Sequence, residues 1–94
     1  MTEAPVHAAA AGRVTFSGYK RTYGQTIVID HGRGIETTYA HNSRNLVQSG
    51  QRVQQGEIIA RVGRSGNASG YHVHFEFRMY GQALNPAHRI QAAR

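Results

Sequence analysis

The sequence predicts a small all-β domain, an antiparallel β-barrel or sandwich of short strands closed by a short C-terminal helix, and three observations carry that expectation. Runs rich in Val, Ile, Thr, Tyr and Phe recur at short intervals along the chain. Most of the 11 glycines fall between those runs, where turns are needed, and only 2 prolines interrupt the chain. The stretch Tyr71-His72-Val73-His74-Phe75-Glu76-Phe77-Arg78-Met79 alternates strictly, with His72, His74, Glu76 and Arg78 on one face and Val73, Phe75, Phe77 and Met79 on the other. At 94 residues, the chain 1–94 is read as a single domain with one thin core.

In chain order, Val6-His7-Ala8-Ala9-Ala10-Ala11-Gly12 is alanine-rich but too short to nucleate a helix, so an extended edge is expected there. Residues 13–18 form a strand and residues 19–24 a polar loop that leaves through Tyr23-Gly24. Residues 25–31 are β-branched enough for a buried strand. They meet the glycine-bracketed turn His31-Gly32-Arg33-Gly34 and return as a strand over 35–41, which makes an antiparallel hairpin. Residues 42–45 fit one short turn of helix. Gly50 and Gly56 bracket a tiny strand at a sharp corner, residues 58–62 supply a longer core strand, and residues 64–70 form a small-residue loop that delivers the chain into the HxH strand. Tyr80-Gly81-Gln82 turns the chain back through Ala83-Leu84, and Asn85-Pro86 opens the terminal helix, which runs through Ile90.

The chemistry concentrates on the HxH strand. Two imidazoles side by side on a rigid strand suit either metal ligation or proton transfer, although an isolated pair fits a solvated sheet face equally well. With 0 cysteines, a disulfide framework and any Cys-containing zinc site are excluded, and the redox compartment stays open. No apolar run reaches the length of a membrane span and no secretory leader is apparent, so the residues alone suggest a cytosolic start or a trimmed one at Met1. The net charge of +6 comes from 11 Lys+Arg, nearly all arginine, against 5 Asp+Glu. The arginines are scattered and no nucleic-acid module is present, so nucleic acid is not expected as a partner. An anionic cell-wall polymer, or simply a basic solvated surface, accounts for the charge.

Several local features then occur together in order: Gly12-Arg13-Val14, Tyr23-Gly24, Ile29-Asp30-His31-Gly32, Thr38-Tyr39-Ala40-His41, the Gly50-to-Gly56 corner, Val62-Gly63-Arg64-Ser65-Gly66, the HxH strand and Leu84-Asn85-Pro86. Over about residues 5–86 the chain thereby resembles the LytM/lysostaphin-type zinc metallopeptidases, which cut peptide cross-links of bacterial cell walls. The resemblance implies the duplicated hybrid motif fold, in agreement with the all-β reading. It implies zinc as cofactor, His74 as a metal ligand, and His41 with His72 as the catalytic pair that handles protons and stabilises the tetrahedral intermediate. It also implies peptidoglycan or a cell-wall peptide as partner, and a periplasmic or extracellular location.

The family's remaining histidine and aspartate ligands fall ahead of the segment matched by Pro5-Val6, so the chain is expected to be truncated at its N-terminus relative to the family, with an incomplete zinc set. Asp30 aligns with an ordinary strand position and does not replace the aspartate. His7 is read as a sheet-edge residue, His31 as a hairpin-turn residue and His88 as a surface residue of the terminal helix. Two functions follow: a zinc metalloendopeptidase domain acting on peptidoglycan cross-links, incomplete or weakly active as this chain, or a non-catalytic module that binds cell wall or activates a separate amidase. Loss of the first strands would expose a sheet edge beside Val14 or Ile27, and an exposed edge would favour a homodimer.

Overall fold

The structure is a computed structural model that describes residues 4–63, 74–80 and 82–84. Among the described residues all regular elements are strands: β1 (Pro5–His7), β2 (Gly12–Lys20), β3 (Gly24–Gly32), β4 (Ile35–Asn45), β5 (Arg52–Val53), β6 (Ile58–Val62), β7 (His74–Met79) and β8 (Gln82–Leu84). They form one antiparallel sheet in the order β1-β6-β4-β3-β2-β5, with β7 paired to β4 and β8 to β7. Val6 of β1, Val53 of β5 and Ile59 of β6 share one core cluster with Val14, Ile27, Ile29 and Tyr39. Side chains from the two ends of the strand path therefore meet, and the sheet is curled into a half-barrel around a single apolar face. The all-β antiparallel class is as expected from sequence; the C-terminal helix over 85–90 and the loop over 64–70 lie outside the described residues.

The β3–β4 hairpin turns at Arg33 and Gly34, whose φ angles of 57° and 75° are both left-handed, the backbone that a two-residue hairpin requires. Glycine is needed at the second position for another reason as well. A Cβ on Gly34 would lie 2.3 Å from the Tyr80 ring. Tyr80 N–H also donates to the Gly34 carbonyl at 2.6 Å, which ties the end of β7 to the turn.

Three expectations need correction. Residues 42–45 do not form a turn of helix: they continue β4, with Asn42 opposite Val62, Arg44 opposite Arg61 and Asn45 opposite Ala60, because pairing with β6 satisfies their backbone groups. The edge beside Val14 or Ile27 is not exposed. Ile27 lies in β3, flanked by β2 and β4, while Val14 N–H donates to Gln51 O at 2.8 Å and its carbonyl accepts from Gly50 N–H at 2.7 Å. Finally, His31 does more than close a hairpin. It lies in β3, with Nδ1 2.8 Å from the Ala11 carbonyl and Nε2 2.7 Å from Thr37 Oγ1.

The last contact belongs to a chain across the core face. Thr37 Oγ1 lies 2.7 Å from the Tyr39 hydroxyl, which accepts from Ala9 N–H at 2.9 Å. The proton order follows from the two ends. A carbonyl only accepts, so His31 Nδ1 carries the proton toward Ala11; in a neutral imidazole Nε2 then accepts from Thr37, and Thr37 accepts from Tyr39. Every group is used once in each sense. The chain pins the segment between β1 and β2 to the buried residues Thr37 and Tyr39.

One edge of β4 is used twice. Residues Ile35 to Ala40 pair with β7, and Asn42 to Asn45 pair with β6. On the other edge Ile27 faces Tyr39 and Gln25 faces Asn42, so β4 carries one extra residue at the change of partner. His41 sits in that bulge.

Candidate active site

The bulge sets the direction of His41. Its φ is 63°, uncommon for a residue with a Cβ, and its N–H donates to the Tyr23 carbonyl at 2.8 Å. Bulges of this kind re-aim a side chain out of the regular alternation. The strand alternation then supplies the neighbour: Ala40 faces His74 across the β4–β7 ladder, Thr38 faces Glu76, and Glu36 faces Arg78. The His41 and His74 rings lie edge to face with centroids 5.8 Å apart. Two of the three site residues expected from sequence are thus brought together where β4 changes partner. The third, His72, lies outside the described residues.

Glu76 is the hub of the side chains around His74. His74 Nε2 is 3.0 Å from Glu76 Oε2, Arg78 Nη2 donates to Glu76 Oε1 at 3.1 Å, and the Tyr23 hydroxyl donates to the same Oε2 that faces His74. The Tyr23 ring meets His74 edge-on at 5.7 Å. The Glu76 side chain is only 16% exposed while that of His74 is 44% exposed, so the carboxylate is the sheltered member and the imidazole faces solvent. Burial alone would raise the Glu76 carboxyl. The hydrogen bonds from Tyr23, His74 and Arg78, with the Arg78 charge, outweigh it and hold the group below the ordinary glutamate value. The same hydrogen bond, followed by burial and the carboxylate charge, pushes the Tyr23 phenol up, with Arg78 opposing.

Beside this cluster an open groove of about 610 Å³ runs over the outer face, floored by Phe16, Val28 and Thr38 and rimmed by Lys20, Tyr23, Glu76 and Arg78. A one-residue shift between Val14 and Phe16 in the β2–β3 pairing places Thr15 and Phe16 both at this groove, where simple alternation would separate them. The Lys20 ammonium lies 4.8 Å from the Phe16 ring centroid.

Among the described residues, no three His, Cys, Asp or Glu side chains converge as a metal site. His74 by itself fits one ligand position, because a ligating imidazole usually gives its other ring N–H to a carboxylate, and Glu76 is in place to receive it. The described residues do not complete the set. His7 is an exposed edge residue, as expected, with Nδ1 2.8 Å from Gly56 O. Tyr23 and Glu76 are the functional candidates that the sequence reading did not single out. For Glu76 and Arg78 the alternation of the HxH strand already put them on the face of His74; Tyr23 carried no such signal, since its partner Glu76 is 53 residues away.

The family model for peptidase family M23 matches residues 1–86. The chain is 45% identical over 82 residues to the DD-carboxypeptidase/endopeptidase Mpg of Neisseria meningitidis, covering 87% of this chain and 19% of that protein. It is 41% identical over 81 residues to the murein hydrolase activator EnvC of Escherichia coli, covering 86% of this chain and 19% of that one. Its fold matches a zinc-containing peptidase from Vibrio cholerae with a TM-score of 0.85 and 32% identity, over 89% of this chain and 26% of the other. The chain therefore spans about a fifth of the length of the curated relatives it matches.

Proposed function

Because the chain belongs to peptidase family M23, we propose that it is a zinc metalloendopeptidase domain acting on the peptide cross-links of peptidoglycan. The observation that carries this reading is the meeting of the His41 and His74 rings, 5.8 Å apart, beside a groove whose lining includes Glu76 and Tyr23, the side chains that contact His74. Zinc would supply Lewis-acid polarisation of the scissile carbonyl and a lowered pKa for the attacking water. His74 is assigned as one of its ligands; among the described residues no further set of His, Cys, Asp or Glu converges on it. His41 and His72 are assigned as the proton-handling pair: one takes the proton of the attacking water and one returns a proton to the leaving amine nitrogen. The groove holds the extended peptide, with Phe16 and Thr38 beneath it and Lys20 and Tyr23 at its sides. Residues 1–94 act as one domain of this type, placed in the cell envelope, where relatives named as lipoproteins also point. Any self-association would use an outer strand edge such as that of β8, which among the described residues pairs with β7 alone.

A second reading has its own observation. The 41% identity to a murein hydrolase activator supports a non-catalytic module that binds cell wall or switches on a separate amidase. Digestion of purified peptidoglycan, with the soluble products identified by mass spectrometry, separates the two. The peptidase reading expects cut cross-link peptides whose release stops with a zinc chelator; the activator reading expects none, and a chelator-insensitive stimulation of an added amidase.

A further inference from the structure

We propose that Glu76 is a positioning residue that locks His74 as its Nε2–H tautomer and thereby presents Nδ1 as the ring's lone-pair atom. An ionised carboxylate only accepts hydrogen bonds, and Glu76 is surrounded by donors: Arg78 Nη2 on Oε1, the Tyr23 hydroxyl and His74 Nε2 on Oε2. Of these groups only the imidazole has a choice of proton position. With an acceptor-only oxygen 3.0 Å from Nε2, the proton must sit on Nε2, and a neutral ring then has its lone pair on Nδ1.

The surroundings hold this geometry rather than merely permit it. Glu76 and Arg78 lie on the same face of one strand as His74, so the ladder to Ala40, Thr38 and Glu36 fixes the spacing of all three. Tyr23 meets the same pair from the β2–β3 connection, with its ring edge-on to the imidazole at 5.7 Å. Its own backbone carbonyl accepts the His41 N–H at 2.8 Å. Tyr23 thus touches the Glu76–His74 pair with its side chain and the His41 bulge with its main chain, which ties both imidazoles to one loop residue. The consequence for a metal rests on the proposed function: His74 would ligate through Nδ1, with Glu76 raising its basicity from the far side of the ring.

The test does not depend on zinc. Two-bond proton–nitrogen correlation spectra of the imidazole rings, recorded on the metal-free protein above the ordinary imidazole range, report the tautomer of His74 directly. Wild type is expected to show a single Nε2–H form. Glu76→Asp, which keeps an acceptor-only carboxylate on the same strand face, is expected to retain it; Glu76→Ala is expected to lose the single form and give a mixture. The conservative rescue separates positioning from a general loss of structure. An Nδ1–H form in wild type, or an Ala variant that keeps the wild-type pattern, overturns the proposal. A zinc titration against a chromophoric chelator adds a second arm: where wild type binds, Glu76→Ala should bind about 10–100-fold more weakly. Equal zinc binding by wild type and the Ala variant overturns the positioning role while leaving the peptidase reading intact. The expected tautomer pattern without zinc binding by any protein supports the positioning role and counts against the metal reading.

Discussion

On the inner face of β4, Thr37 and Tyr39 pass hydrogen bonds from His31 to Ala9, whereas on the outer face of β7 Glu76 gathers donors from Tyr23, His74 and Arg78. The inner chain contains no carboxylate or guanidinium and its middle is buried, with Thr37 and Tyr39 each 2% exposed. The outer one is ionic and open, with Arg78 34% and His74 44% exposed at the side chain. Both contain a histidine whose two nitrogens could be mistaken for equivalent. In the inner chain both nitrogens of His31 are committed to protein partners, so that ring serves the fold. In the outer network Glu76 commits only Nε2 of His74, on the side of the ring that the carboxylate shelters. A buried, fully satisfied network specifies structure, whereas an exposed ionic one contributes little stability and is better suited to orient a group for chemistry.

That contrast breaks most sharply at His74. His74→Ala is expected to reduce peptidoglycan cleavage to background while leaving urea unfolding within about 1 kcal/mol of wild type, since the side chain is half-exposed. The reverse pattern is expected inside. Thr37→Val removes the middle of the inner chain, strands buried polar groups on both sides and should cost about 1–3 kcal/mol by urea unfolding, with the His74 tautomer unchanged. An equal stability loss from the two substitutions would erase the distinction drawn here.

A smaller effect appears at alkaline pH. Burial pushes the Tyr39 phenol above its ordinary value of about 10, more than the hydrogen bond it accepts from Ala9 N–H pulls it down. A group raised in the folded state contributes stability that is complete below the unfolded value and is lost as pH rises through the folded one. Phenolate absorbance should therefore show Tyr39 ionising above the ordinary tyrosine range, together with a fall in thermal stability above about pH 10. The smallest effect is expected at the exposed edge: His7→Ala should shift stability by less than about 0.5 kcal/mol and leave cleavage unaltered.

Much of this was legible in the chain itself. The β3–β4 hairpin announced itself through Gly32 and Gly34, and β6 through residues 58–62, because each needs only local turn chemistry and a run of β-branched side chains. The same-face placement of His74, Glu76 and Arg78 followed from the period of a strand. What was not legible depends on distant pairing. Residues 42–45 read locally as a turn of helix, and only β6, paired alongside, keeps them extended. The bulge at His41 exists because β4 must serve two partners on one edge, which no local pattern encodes. His31 looked like a turn residue because its two partners, Ala11 and Thr37, come from other strands and connections.

The proposed function makes the outer-face imidazoles at the bulge of β4 a hydrolytic site for cell-wall peptides. A zymogram on peptidoglycan tests it most directly, run for wild type and His41→Ala with a zinc chelator and with zinc restored. The account predicts clearing by wild type that the chelator abolishes and zinc recovers, and no clearing by His41→Ala under either condition. Clearing by wild type that survives the chelator, or clearing by His41→Ala equal to wild type, would contradict it.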